Sequence, residues 1–409
     1  MHKRVVVTGM GILSSIGQDI PSFWQAAISG QSGIKHLTQI DVSNYPTRIG
    51  GEIGPLTDEQ LPHIEKRQRF TRVAQYAIYC LEQALQQAKL DTSIRQSAGI
   101  YMGTGWGGTP EIESGFKDYF LHGWKKIPPM SVIKGMPNSI TNHLAMLYDI
   151  RGPNMTLSNA CISSAEAIGV GFENIQRGKI STAICGGSES LLWASVLGAW
   201  CRLKVMSTQN EHPQKSCRPF DANRDGMVIA DGAGVMILEE LEQARARGAH
   251  IYAEIIGFGQ SCDAHHITAP KSEGQAAAIE AALNQARVSP NDIQYINAHG
   301  TATKLNDLTE TQTIKHVFGN RAYQIPITAQ KSMTGHAIGA AGVLEIITTC
   351  LAIENGILPP TINLDNPDEQ CDLDYIPHQA RHKQIDIALS NHFAFGGANA
   401  ALILQRFFQ

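Results

Sequence analysis

The chain has 409 residues, enough for a large core or for two fused domains of ordinary size, and its 43% hydrophobic and 17% charged residues exclude a disordered protein. A net charge of -4 gives no general attraction to nucleic acid or to an anionic membrane surface. Eight cysteines, spread singly with no CxxC pair, fit reduced thiols in the cytoplasm better than a disulfide framework. Met1-His2-Lys3-Arg4 ahead of Val5-Val6-Val7 has the outline of a secretory leader. The apolar run then breaks at Gly9 and Gly11 with no small-residue cleavage site behind it, so a first core strand is expected at 5–8. Further β-branched runs predict strands at 99–102, 180–185, 235–238, 252–256, 295–297, 385–390 and 401–404. Helical patterns fall between them at 72–88, 163–177, 275–286, 309–318 and 339–355. Strands alternating with helices indicate an α/β layered fold. No apolar stretch reaches the roughly 20 residues that span a bilayer.

A weak internal duplication is visible. Cys161 lies six residues before Ala167-Ile168-Gly169, and Lys331 lies six before Ala337-Ile338-Gly339. Asp231-Gly232-Ala233-Gly234 and Gly397-Ala398-Asn399-Ala400 then open apolar runs in the same order. Two related halves are therefore expected, 1–250 carrying Cys161 and 251–409 carrying the later motifs, with the active site between them.

Cys161 stands in Leu157-Ser158-Asn159-Ala160-Cys161-Ile162-Ser163-Ser164-Ala165, an apolar run opening onto small residues. A lone cysteine is more often an inert buried thiol. Here a helix is predicted from 163, and its free N–H groups and dipole favour a thiolate, the best nucleophile for transthioesterification. His299, in Asn297-Ala298-His299-Gly300-Thr301, and His336, in Lys331-Ser332-Met333-Thr334-Gly335-His336, each follow an apolar segment. One such histidine is usually a satisfied loop residue; two, with Lys331 beside the second, point to chemistry. A Cys/His/His zinc site is the metal alternative, disfavoured because no two of the three are close in sequence. In 391–399, small residues surround Phe393 and Phe395, and a flexible backbone there can present an N–H beside Cys161. The 103–108 run, Gly-Thr-Gly-Trp-Gly-Gly, lacks the Lys-Ser/Thr ending of a phosphate loop and reads as a pocket wall built on Trp106.

With these motifs in place the chain resembles the β-ketoacyl-acyl carrier protein synthases of the thiolase superfamily, the elongating type II enzymes. The likeness runs from Val7-Thr8-Gly9-Met10-Gly11 through Arg218-Pro219-Phe220-Asp221, Arg224-Asp225-Gly226, His299-Gly300-Thr301-Ala302-Thr303 and Lys331–His336 to Phe395-Gly396-Gly397. The resemblance implies a thiolase-like five-layer αβαβα fold of two duplicated halves, with a catalytic set of Cys161, His299 and His336. The expected reaction is decarboxylative Claisen condensation of a Cys-bound acyl group with malonyl-acyl carrier protein, without metal or redox cofactor. Lys331 would support the site, with Glu345 and Asp307 as its shell. The backbone N–H groups of Cys161 and Phe395 would hold the oxyanion, and Phe395 would gate the site. Thr301 and Thr303 would line the phosphopantetheine tunnel, Thr268 and Trp106 would contact substrate, and Lys66, Arg67, Arg69 and Lys204 would dock the acidic carrier protein. The family also implies a dimer, either a homodimer or the active half of a heterodimer with a chain-length partner. A non-decarboxylating thiolase is the other enzyme reading; it needs a second active-site cysteine, which the C-terminal glycine loop lacks. Four positions depart from the family pattern: His392, Ala394 and Ala398 replace a serine, a glycine and a threonine in the gating loop, and Trp106 replaces a smaller residue in the acyl pocket. The indole predicts a specialised acyl group, short, aryl or polyene.

Overall fold

The computed structural model describes residues 2–61, 64–65 and 69–408. In chain order the strands are β1 (Val5–Leu13), a short pair β2 (Lys35–His36) and β3 (Ile49–Gly50), β4 (Gly99–Gly103), β5 (Asn154–Leu157), β6 (Thr182–Glu189), β7 (Gly232–Glu240), β8 (Ala253–Cys262), β9 (Tyr295–Asn297), β10 (Ile327–Thr328), a second short pair β11 (Ile357–Leu358) and β12 (Arg381–His382), β13 (Ile387–Phe393) and β14 (Ala398–Gln405). Five strands run β1-β7-β6-β4-β5, and five more run β8-β14-β13-β9-β10. The pairing sense repeats as well. β4 is parallel to β5 and β6 as β9 is to β10 and β13, while the β1-β7-β6 and β8-β14-β13 steps are antiparallel. The two sets join edge to edge through Val5–Val7 against Ala253–Ile255.

Side-chain alternation along the strands defines the layers. In β7, Met236 and Leu238 enter one core with the helices Ser163–Gln176 and Ala341–Asn355, while Val235 and Ile237 enter a second with the helix Arg72–Ala88. In β14, Leu402 and Leu404 face the same central core, and Ala401 and Ile403 face a third with the helices Ser272–Ala286 and Lys304–Phe318. Outer helices, sheet, central helices, sheet and outer helices give the five layers of a thiolase-like fold. The central position explains the composition of the last inner helix. Over Ile338–Asn355 the mean hydropathy is 1.4, enough to cross a membrane by composition, yet 89% of the stretch is buried inside this protein.

The structure extends several of the expected elements. β1 continues through Gly9 and Gly11 to Leu13. A Cβ at either glycine would run into a carbonyl oxygen of the helix Arg72–Ala88, that of Ala84 or Cys80, so both glycines allow helix and strand to touch rather than ending the strand. The helices Ile20–Ile28, Thr109–His122, Ser139–Tyr148 and Ala194–Leu203 and the edge strand β5 were not foreseen from the pattern. The helix Thr109–His122 buries only Pro110 and Gly115 and leaves Phe116, Phe120 and Leu121 exposed, which defeats an apolar-face argument.

Candidate active site

Cys161 sits in a tight turn between β5 and the helix Ser163–Gln176. Ala160, before it, takes φ 47°, a strained conformation for a residue with a Cβ, and the Ser163 hydroxyl holds the turn by donating to the Ala160 carbonyl at 2.7 Å. Gly103 lets β4 lie directly under this turn, since a Cβ there would overlap the backbone of Ser163 and Ser164. The Cys161 sulfur is 3.1 Å from His336 Nε2, and the Phe395 N–H faces it. Burial pushes the thiol up to about 12, against the pull of the Lys331 charge and the Phe395 N–H. Desolvation in this turn thus works against the expected thiolate.

The two histidines come from loops that follow β9 and the short helix Lys331–Thr334. His299 is pinned by its backbone, its N–H and that of Gly300 each donating at 2.8 Å to the Glu310 carboxylate. Lys331 Nζ donates to the His299 carbonyl at 2.6 Å and to Glu345 Oε1, and lies 3.3 Å from His299 Nδ1. A cation at Nδ1 keeps that nitrogen the acceptor, so the proton resides on Nε2. His336 is held by its N–H to the Val228 carbonyl at 2.7 Å. Its Nδ1 is buried with no partner among the described residues, and a bare acceptor is less costly there than a bare N–H, which again favours a proton on Nε2. Burial, and then the Lys331 charge, hold both rings well below the ordinary imidazole range, so both are neutral donors near pH 7. Their rings meet edge to face at 5.4 Å.

Cys161, His299, His336, Thr301, Thr303, Thr268, Lys204 and Phe395 share one cavity of about 270 Å³. The 394–398 turn at its wall is closed by Ala394 N–H donating to the Ala398 carbonyl at 2.8 Å and by Gly396 N–H donating to the Ile267 carbonyl at 2.7 Å, with Gly396 and Gly397 at positive φ. Trp106 does not line this cavity. It lies in the apolar cluster that also contains Cys161, 6.4 Å from Trp200, which stacks on Phe395 at 6.1 Å.

Other expectations are revised. Asp307 does not touch Lys331; it accepts the Phe220 N–H at 2.8 Å and lies 3.6 Å from Arg224, so it ties the 218–224 turn to the His299 loop. Burial pushes it up to about 6. Arg69 is exposed and outside the cavity lining, and Lys66 and Arg67 lie outside the described residues. The reason given against zinc also fails: the Cys161, His299 and His336 ligand atoms lie within 4.8 Å of one another despite their distance in sequence. Three residues of the site were missed, and His392 was noted only as a departure in the 391–399 loop. Glu310, three positions after Asp307 on the same helix face, clamps His299. Glu189 accepts from the N–H groups of Gly105 at 2.5 Å and of Trp106 and Gly339 at 3.1 Å, which fixes the Trp106 loop. Trp200 forms the aromatic wall, and His392 touches Glu345. The Glu310–Asp307 spacing alone was available as a signal.

The β-ketoacyl synthase N-terminal domain model matches residues 2–244 and the β-ketoacyl synthase C-terminal domain model matches 252–365. The chain belongs to the β-ketoacyl synthase family. It is 38% identical to the 3-oxoacyl-[acyl-carrier-protein] synthase 2 of Coxiella burnetii over 99% of both chains. Among solved structures it is similar to the ishigamide ketosynthase/chain length factor, with TM-score 0.94 and 32% identity over the whole of both chains. It is also similar to a type II polyketide ketosynthase described in complex with its acyl-carrier protein and bound to the hexaketide, with TM-score 0.91 and 32% identity over the whole of both chains. This ketosynthase is thus an acyltransferase of the elongating type, catalysing condensation in fatty acid or polyketide synthesis.

Proposed function

We propose that Cys161 carries the growing acyl group and that His299 and His336 drive decarboxylation of a malonyl thioester held on an acyl carrier protein. The observation carrying this reading is the convergence of one thiol and two neutral imidazoles in a buried site. In the first half-reaction Cys161 attacks the acyl thioester, its proton leaves with the departing phosphopantetheine thiol, and the N–H groups of Cys161 and Phe395 hold the oxyanion. Donors of that kind are worth about 3–4 kcal/mol each in the transition state. In the second, the malonyl C–C bond breaks and CO2 departs. The electron pair forms an enolate whose oxygen accepts from the two Nε2–H groups. The enolate carbon attacks the Cys161 thioester, and the tetrahedral intermediate collapses to a 3-oxoacyl thioester and the Cys161 thiolate, which takes up a proton from solvent. No metal or redox cofactor has a step in this sequence, because loss of CO2 supplies the carbanion that a thiolase must make with a second base.

The threonine-lined cavity suits the phosphopantetheine arm, with Thr301 and Thr303 3.0 Å apart as paired hydroxyls, and exposed Lys204 in its lining supports a docking role for the acidic carrier. Beyond Cys161 the Trp106–Trp200–Phe395 column favours a short or planar conjugated acyl group over a long flexible one, which supports a specialised pathway. Intact-mass analysis of products on the carrier protein, using several acyl starters with malonyl-carrier protein, tests this. Trp106→Gly should extend the accepted chain by several carbons, and an unchanged product profile would count against the indole as the stop. The chain length factor named with the ishigamide ketosynthase supports pairing of this chain with a second ketosynthase-like subunit.

A further inference from the structure

His392 is fully buried at the end of β13 and belongs to no step above. Its Nε2 lies 3.0 Å from the Ser390 hydroxyl, and its Nδ1 lies 3.0 Å from Glu345 Oε2 with the N–H turned off the direct line. Glu345 is itself 2% exposed. Its Oε1 takes Lys331, while Oε2 has no hydrogen-bond donor among the described residues apart from this neighbouring ring. A carboxylate oxygen left bare in a dry core is strongly disfavoured, and without a donor the carboxylate turns to find one. Such a turn would move Oε1 off Lys331, whose Nζ fixes the His299 carbonyl and faces His299 Nδ1. The charged or titratable groups around the His392 ring are Glu345 from the inner helix, Lys331 from the short helix before it, and His299 from the loop after β9. Burial keeps the ring neutral, so it can donate through Nδ1 while Nε2 accepts from Ser390.

We propose that His392 is a positioning residue for condensation, acting along His392–Glu345–Lys331–His299 to hold His299 in the tautomer that donates to the malonyl enolate. This rests on the role assigned above to His299. It separates the half-reactions, because acyl transfer to Cys161 uses the Cys161 and Phe395 N–H groups, whereas the His392 ring faces Ser390 and Glu345. Asn places an amide donor near the position of Nδ1; Leu fills the space without one.

The test measures two rates in each variant: CO2 release from malonyl-carrier protein, and acylation of Cys161 by acyl-carrier protein followed by intact mass. His392→Leu should slow CO2 release about tenfold or more through kcat, with KM for the carrier and Cys161 acylation within about twofold of wild type. His392→Asn should recover most of the lost rate. The proposal is overturned if the Leu variant releases CO2 at the native rate, if both half-reactions fall together as in a simple loss of folded sites, or if Asn does no better than Leu. His299→Ala run in parallel separates the two layers: native CO2 release in that variant would remove the role of His299 itself, whatever His392 does.

Discussion

Desolvation decides the resting chemistry at Cys161. With the thiol pushed to about 12, only a trace is thiolate near neutrality, and that fraction grows about tenfold per pH unit. Alkylation of Cys161 by iodoacetamide should therefore climb about tenfold per unit from pH 7 to 9 with no plateau. A plateau with a midpoint below pH 8 would mean that the helix N-terminus and Lys331 outweigh burial. The direction of this effect was not legible in the sequence, because Leu157–Ala165 shows the coming helix but not how little water reaches it. Glu189 and Glu310 were harder to find for a related reason: they accept mainly from backbone N–H groups of other loops, which leave no side-chain signature, and only the Glu310–Asp307 spacing gave a hint. Burial pushes both carboxyls up to about 7 even as those donors pull them down. By contrast, Cys161, His299, Lys331 and His336 were legible because each stands in a small-residue turn, where a reactive group must approach its neighbours closely.

Elements facing the core were readable and those facing outward were not. The helices at 72–88 and 341–355 lie close to their expected bounds because a buried stripe, or burial all round, dictates their composition. β5 escaped notice because it is four residues long and at the sheet edge, with Asn154 and Met155 exposed. The helix Ser139–Tyr148 packs on it through Thr141 and Thr156, whose hydroxyls are 2.9 Å apart, and carries Met146 at 79% exposure. A strand edge with no partner among the described residues, beside exposed methionines and with Phe120, Leu121 and Trp124 exposed on elements just upstream, is a surface suited to a second ketosynthase-like chain. Met155→Arg should turn a dimer into a monomer in sedimentation equilibrium; a native protein that is already monomeric, or a variant that stays dimeric, would place the contact elsewhere.

At the scale of the whole molecule, the repeated strand order brings the C-terminal end of β5 and the loops after β9 and β10 to one place between the sheets. That convergence explains why residues 138 and 175 positions from Cys161 complete its site, and why sequence spacing could not speak to a metal. The account stands on a carbon–carbon bond made at that point from an acyl group on sulfur and a malonyl unit losing CO2. The most direct measurement is condensation of a short acyl-carrier protein with malonyl-carrier protein, followed by intact mass in the presence of a chelator. Wild type should give the carrier product two carbons longer, with a trapped adduct of the acyl mass on Cys161, and Cys161→Ala should give neither. Condensation by Cys161→Ala at the native rate, or its loss from wild type on chelation alone, would contradict the account.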